Sequence, residues 1–118
     1  MSKILGVSTV LPGYEYTTEE ITEAADRLWL SHVEPEVRRM ALKIFKGAEI
    51  KKRHSAFPLE TVFKNQSFKE KNDLYIHAAI DLAEKALRKA LAESGTHPNE
   101  LDFIITASCT GFMIPSVD

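Results

Sequence analysis

The stretch Leu101-Asp102-Phe103-Ile104-Ile105-Thr106-Ala107-Ser108-Cys109-Thr110-Gly111-Phe112-Met113-Ile114-Pro115-Ser116-Val117-Asp118 joins two kinds of sequence. Its first eight residues are a short apolar run without strict alternation, the pattern of a strand buried on both faces. The remainder carries Gly111 and Pro115 and reads as a loop, with Pro115-Ser116-Val117-Asp118 resembling the first turn of a helix. Upstream lies the clearest periodic element. From Asn72 or Asp73 onward, Ile76, Ala79, Ile80, Ala83, Ala86, Leu87, Ala90 and Leu91 hold helical spacing for about five turns. The alanines on that face permit close approach to a neighbouring backbone. Ser94-Gly95 ends the helix and Pro98 opposes a restart. A helix running into a buried strand signals an α/β architecture. In such sheets ligands gather beyond the carboxyl ends of strands, which directs attention to the loop that starts at Cys109.

Working outward, Ile4 to Leu11 is rich in β-branched residues and stops at Pro12-Gly13, which predicts a strand and a turn. Thr17 with Glu20 three residues on forms a capping-box pattern. Ile21, Ala24, Ala25, Leu28 and Trp29 then give one apolar helical face. Val33-Glu34-Pro35 separates this helix from a second over Glu36 to Lys46, with Val37, Met40, Ala41, Ile44 and Phe45 as its apolar face and Gly47 as its stop. Arg39, Lys43 and Lys46 fall within about 60° of one another on the opposite side. Ile50 to Phe57 reads as a charged edge strand closed by Pro58, and Leu59 to Lys71 as a loop with a short helix.

Composition bounds the function. The 118 residues are 44% hydrophobic and 27% charged, the balance of one soluble globular domain. A disordered tail, a collagen-like repeat and a membrane-spanning chain are excluded. A net charge of -2 gives no support for a nucleic-acid or membrane partner. The single cysteine, Cys109, has no internal disulfide partner and suits a reducing, cytoplasmic setting. Met1 to Leu5 makes a poor signal peptide, with one basic residue and an apolar run soon broken by Gly6, Ser8 and Thr9.

Few residues offer chemistry. His32, His54, His77 and His97 are far apart and none has a second metal ligand at helical or hairpin spacing. There is no phosphate-binding glycine loop and no Gly-x-Ser-x-Gly elbow. Cys109 is most simply a small packed residue at a strand end; the alternative is a thiol lining a pocket. No histidine adjoins it in sequence to activate it as a nucleophile. Arg39, Lys43 and Lys46, followed by Lys51, Lys52 and Arg53, are most simply a solvated helix face and an edge strand. The alternative is a site for the phosphates of an anionic cofactor.

At these residues the chain resembles a known family. Ile4 to Gly13 looks like the opening strand of thiolase-fold condensing enzymes, and Ile50-Lys51-Lys52-Arg53-His54 like their basic strand. Leu101 to Asp118 is similar to the strand and loop of bacterial type III polyketide synthases, the chalcone-synthase-like family. The resemblance covers essentially the whole chain but only about the first third of a typical family member. It implies that residues 1–118 are the N-terminal part of a layered αβαβα thiolase-like domain, a mixed sheet with flanking helices. The implied activity is that of an acyltransferase. A starter acyl group moves from coenzyme A to a cysteine, and malonyl-CoA is decarboxylated and condensed onto it.

None of the family's catalytic Cys-His-Asn set matches a position in this chain, so the nucleophile is expected beyond Asp118 and this piece alone is expected to be inactive. The resemblance places Cys109 and Thr110 in the cavity wall and Ile114 where a loop crosses into the dimer partner's cavity. Lys43 matches a coenzyme A-binding position. Two further positions of that set fall on Met40 and Gly47, where Lys46 and Arg39 are the neighbouring substitutes. The implied partners are acyl-CoA and malonyl-CoA, taken as substrates with no separate cofactor or metal. The complete protein is expected to be a cytoplasmic homodimer. Two other readings compete: a ketoacyl-ACP synthase III or HMG-CoA synthase relative, and a small non-catalytic α/β module.

Overall fold

A computed structural model describes residues 1–115, so the helix start expected from Pro115 to Asp118 lies largely outside the described residues. The chain divides into two compact units, Pro12–Asn65 and a second that joins Met1–Leu11 to the segment from Gln66 onward.

The unit Pro12–Asn65 is built on β1 (Tyr14–Thr17), α1 (Thr18–Leu28), a 3₁₀ turn at Leu30–His32, α2 (Pro35–Gly47), β2 (Lys52–Ser55) and α3 (Leu59–Val62). Thr17 opens α1 as its sequence promises. Its hydroxyl accepts the Glu20 N–H at 3.2 Å, and its own N–H donates to the Glu20 carboxylate at 2.7 Å. β1 is an element that sequence periodicity does not reveal. It pairs antiparallel with β2 in the register Tyr14–Ser55, Glu15–His54, Tyr16–Arg53 and Thr17–Lys52. The predicted charged strand is therefore present, trimmed to four residues. The Thr18 N–H extends the pairing to the Lys51 carbonyl at 3.0 Å, and its hydroxyl donates to the Ile50 carbonyl.

The core of this unit is small. Ile21 and Ala24 of α1 and Leu59 of α3 are buried together, with Tyr16, Leu28, Phe45 and Phe63 packed around them. Ala25 and Leu30 are buried as well. The predicted apolar face of α2 is only partly used. Phe45 reaches the core and Ala41 is half-buried, whereas Val37, Met40 and Ile44 stay exposed. These three lie on one side of the helix, turned away from the Phe45 side by its 3.6-residue period. A bidentate pair joins α1 to α2, Arg38 Nε to Asp26 Oδ1 at 2.6 Å and Arg38 Nη2 to Oδ2 at 2.7 Å.

The second unit is dominated by α4 (Phe68–Ser94), followed by a 3₁₀ turn at Pro98–Glu100. α4 begins four residues earlier than its apolar period predicts, because Ser67 and Glu70 form a second capping box. It ends at Gly95, whose φ of 70° favours glycine over any residue with a Cβ. The expected strands Ile4 to Leu11 and Leu101 to Ser108 are not found as strands. Among the described residues neither stretch has ladder hydrogen bonds. Composition makes both good strand formers, but a strand exists only through a partner edge, and none pairs with them here. The first stretch lies along α4. Ser8 donates to the Ala86 carbonyl at 2.6 Å, and a Cβ at Gly6 would stand 3.0 Å from the Ala90 carbonyl oxygen. The small residues of α4 thus receive a close backbone, as expected of them. The outer sides remain open, with Ile4 80%, Phe103 76% and Ile105 83% exposed. No described residue of this unit is fully buried.

Candidate functional site

The sequence-predicted residues fall into the two units. Cys109, Thr110 and Ile114 belong to the α4 unit, and Arg39, Lys43 and Lys46 to the other.

In the α4 unit the segment after Ser108 is a loop held at its Phe112 end. Asn72 Nδ2 donates to the Phe112 carbonyl at 2.9 Å, and the Phe112 N–H donates to Asn72 Oδ1 at 3.1 Å. The Phe68 and Phe112 rings stack with centroids 5.8 Å apart. Cys109 and Thr110 are exposed, so the simpler expectation of a packed cysteine at a strand end is corrected: the apolar run before it carries no sheet to bury it. The Thr110 N–H donates to the Ser108 hydroxyl at 3.3 Å, which tightens the turn. Ile114 is 93% exposed, an apolar side chain extended from the loop. Sequence reasoning found the loop but missed Asn72. The sequence places Asn72 only at the start of the long helix; the face it shares with Phe68 exists because α4 begins at Phe68.

In the other unit Arg39, Lys43 and Lys46 project from α2 and are exposed. Arg39 lies 3.7 Å from Glu36, with both side chains more than four-fifths exposed, so this pair holds little energy. Among the described residues Lys43 and Lys46 have no carboxylate within 4.0 Å. Lys46 and Lys51 also border an open groove of about 860 Å³, but Glu19, Glu23 and Glu49 border it too. Three carboxylates against two ammonium groups disfavour an anion there. The Arg39–Lys43 side of the helix is the better anion surface. Lys52 and His54, by contrast, are engaged in the ladder. Lys52 donates to Glu15 at 2.6 Å, and His54 Nε2 lies 3.5 Å from the same carboxylate. That carboxyl is held below its usual range, first by the Lys52 hydrogen bond and then by the Lys52 charge. Asp26 is likewise lowered, chiefly by its hydrogen bond from Arg38. Among the described residues no group of His, Cys, Asp and Glu is arranged to hold a metal ion. Among the described residues no helix is long and apolar enough to cross a membrane.

No family model matches the chain. Individual proteins do. The 1,3,6,8-tetrahydroxynaphthalene synthase of Streptomyces griseus is 27% identical over 117 residues, 99% of this chain and 31% of that protein. The phloroglucinol synthase of Pseudomonas fluorescens is 25% identical over 119 aligned positions, 99% of this chain and 33% of the relative. The crystal structure of 1,3,6,8-tetrahydroxynaphthalene synthase from Streptomyces coelicolor, a bacterial type III polyketide synthase, superposes with a TM-score of 0.79 at 30% identity. That match covers 93% of this chain and 31% of that one. The homologues are thus type III polyketide synthases, and the fold is a part of their thiolase-like fold. The chain spans about a third of the length of the relatives it matches.

Proposed function

We infer that this chain is the N-terminal segment of a type III polyketide synthase, an acyltransferase that condenses malonyl-CoA onto an acyl-CoA starter. The observation that carries this is the match along nearly the entire chain, in sequence and in fold at once. In the complete enzyme a cysteine thiolate outside this segment accepts the starter acyl group from the coenzyme A sulfur. Malonyl-CoA loses CO₂, and the resulting enolate carbon attacks the acyl thioester. Within this segment Cys109 and Thr110 contribute to the cavity wall, and Ile114 to the loop that meets the second subunit of a homodimer. Arg39, Lys43 and Lys46 receive the coenzyme A phosphates; among the described residues Lys43 has no carboxylate within 4.0 Å, and the Arg39–Glu36 pair is exposed enough to be displaced. The protein works in the cytoplasm.

The test uses the complete protein with acyl-CoA starters and malonyl-CoA. Coenzyme A release with polyketide formation is expected. Lys43→Glu together with Lys46→Glu is expected to raise KM for both esters several-fold, with kcat little changed, because the phosphate contacts are made equally before and during reaction. An absence of coenzyme A release refutes the reading. An unchanged KM removes α2 from the binding surface.

A further inference from the structure

Three side chains of α4 meet the 109–114 loop, at positions i, i+4 and i+7 of the helix: Phe68, Asn72 and Tyr75. On a 3.6-residue helix they lie within about 60° of one another. Each contacts the loop differently. Phe68 stacks on the Phe112 ring. Asn72 uses both ends of its amide on the backbone of Phe112, one donated and one accepted bond. Because donor and acceptor must be met together, this fixes orientation as well as position. Tyr75 lies so close to Gly111 that a Cβ there would stand 2.5 Å from its Cδ1 atom, so the loop approaches the helix at the one residue without a side chain. Among the described residues, 107–115 make no backbone-to-backbone hydrogen bonds. Beyond the turn bond from the Thr110 N–H to the Ser108 hydroxyl, these three side chains hold the loop against α4.

We propose that Phe68, Asn72 and Tyr75 are positioning residues that set the conformation of the 109–114 loop, and with it the placement of Cys109, Thr110 and Ile114. The consequence for catalysis rests on the function proposed above: if those residues line the cavity, the clamp governs which products form. The clamp itself rests on the contacts alone.

The experiment is hydrogen exchange in the complete protein, read by mass spectrometry on the peptide spanning Gly111 to Ile114, with product analysis in parallel. Asn72→Ala removes both amide bonds and is expected to speed exchange in that peptide about tenfold, with exchange in the rest of α4 unchanged. Gly111→Ala is expected to loosen the same peptide by forcing it off Tyr75 first and off Asn72 Oδ1, which its Cβ would meet at 2.9 Å. Its effect should shrink substantially when Tyr75→Ala is already present, the non-additivity of two groups in contact. Unaltered exchange in Asn72→Ala overturns the proposal. So does a Gly111→Ala effect of equal size with and without the Tyr75 ring. If exchange follows the expected pattern while the product distribution stays fixed, the clamp stands and the cavity-wall assignment of Cys109 and Thr110 falls. If the unsubstituted protein makes no polyketide, the proposed activity falls and exchange still decides the clamp.

Discussion

Leu59→Ala is expected to destabilise the Pro12–Asn65 unit. Leu59 is 8% exposed and closes the core formed with Ile21 and Ala24. The change removes three carbon atoms, which at about 0.8 kcal/mol per buried methylene comes to roughly 2.4 kcal/mol. A large cavity penalty is not added, because Tyr16, Leu28, Phe45 and Phe63 around the site are only partly buried and can settle inward. The expected loss is therefore about 2 kcal/mol, a roughly 30-fold fall in the ratio of folded to unfolded chains. The chain has one tryptophan, Trp29, and it stacks on Phe63 of the same unit at 6.5 Å between ring centroids. Urea unfolding followed by Trp29 fluorescence therefore reads this core directly. Ile114→Ala is the control: at 93% exposure it should shift stability by less than about 0.5 kcal/mol. Equal losses for the two variants, or a loss below about 0.5 kcal/mol for Leu59→Ala, would refute the assignment of the core.

Two further outcomes follow from local contacts. The Asp26 carboxyl is lowered by its hydrogen bond from Arg38, so the stabilisation it supplies is present above its unfolded pKa and is lost as pH falls through the depressed folded value. Asp26→Asn should accordingly be less stable than the parent near neutrality, with the gap closing through and below the ordinary carboxylate range. A gap that stays constant to low pH in midpoint measurements would contradict the pairing. Gly95→Ala should destabilise the end of α4 by about 1 kcal/mol, since φ is 70° there while no neighbouring atom within 4 Å would obstruct the added carbon. A neutral effect in thermal unfolding would show that the left-handed cap is not retained in solution.

What could be read in advance depended on range. Helices α1, α2 and α4 were legible because their signals are local: a capping box, a proline, a 3.6-residue apolar period and a terminal glycine. The Ser67–Glu70 box is equally local, yet Phe63 and Phe68 among polar residues made its surroundings read as a loop. β1 carries no comparable signal. Four residues, of which only Tyr16 packs against the core, become a strand because Lys52 to Ser55 pair with them. The converse holds for Ile4 to Leu11 and Leu101 to Ser108, where a strand-like composition lacks a ladder. In the candidate site, the loop was legible from its glycine and proline. Asn72 was not, because its two bonds span forty residues of chain.

The run Phe103-Ile104-Ile105-Thr106-Ala107-Ser108-Cys109-Thr110 has no charge and no proline, and among the described residues it belongs to no strand. Asp102 before it and Pro115 after it are the nearest gatekeepers. Such a segment is a template for cross-β stacking whenever it is left uncovered. An exposed run of this kind ties solubility to whether it is covered. A charge at the 83%-exposed Ile105 would tell: Ile105→Lys should raise the saturation concentration of the 118-residue chain, and an unchanged value would refute the reasoning.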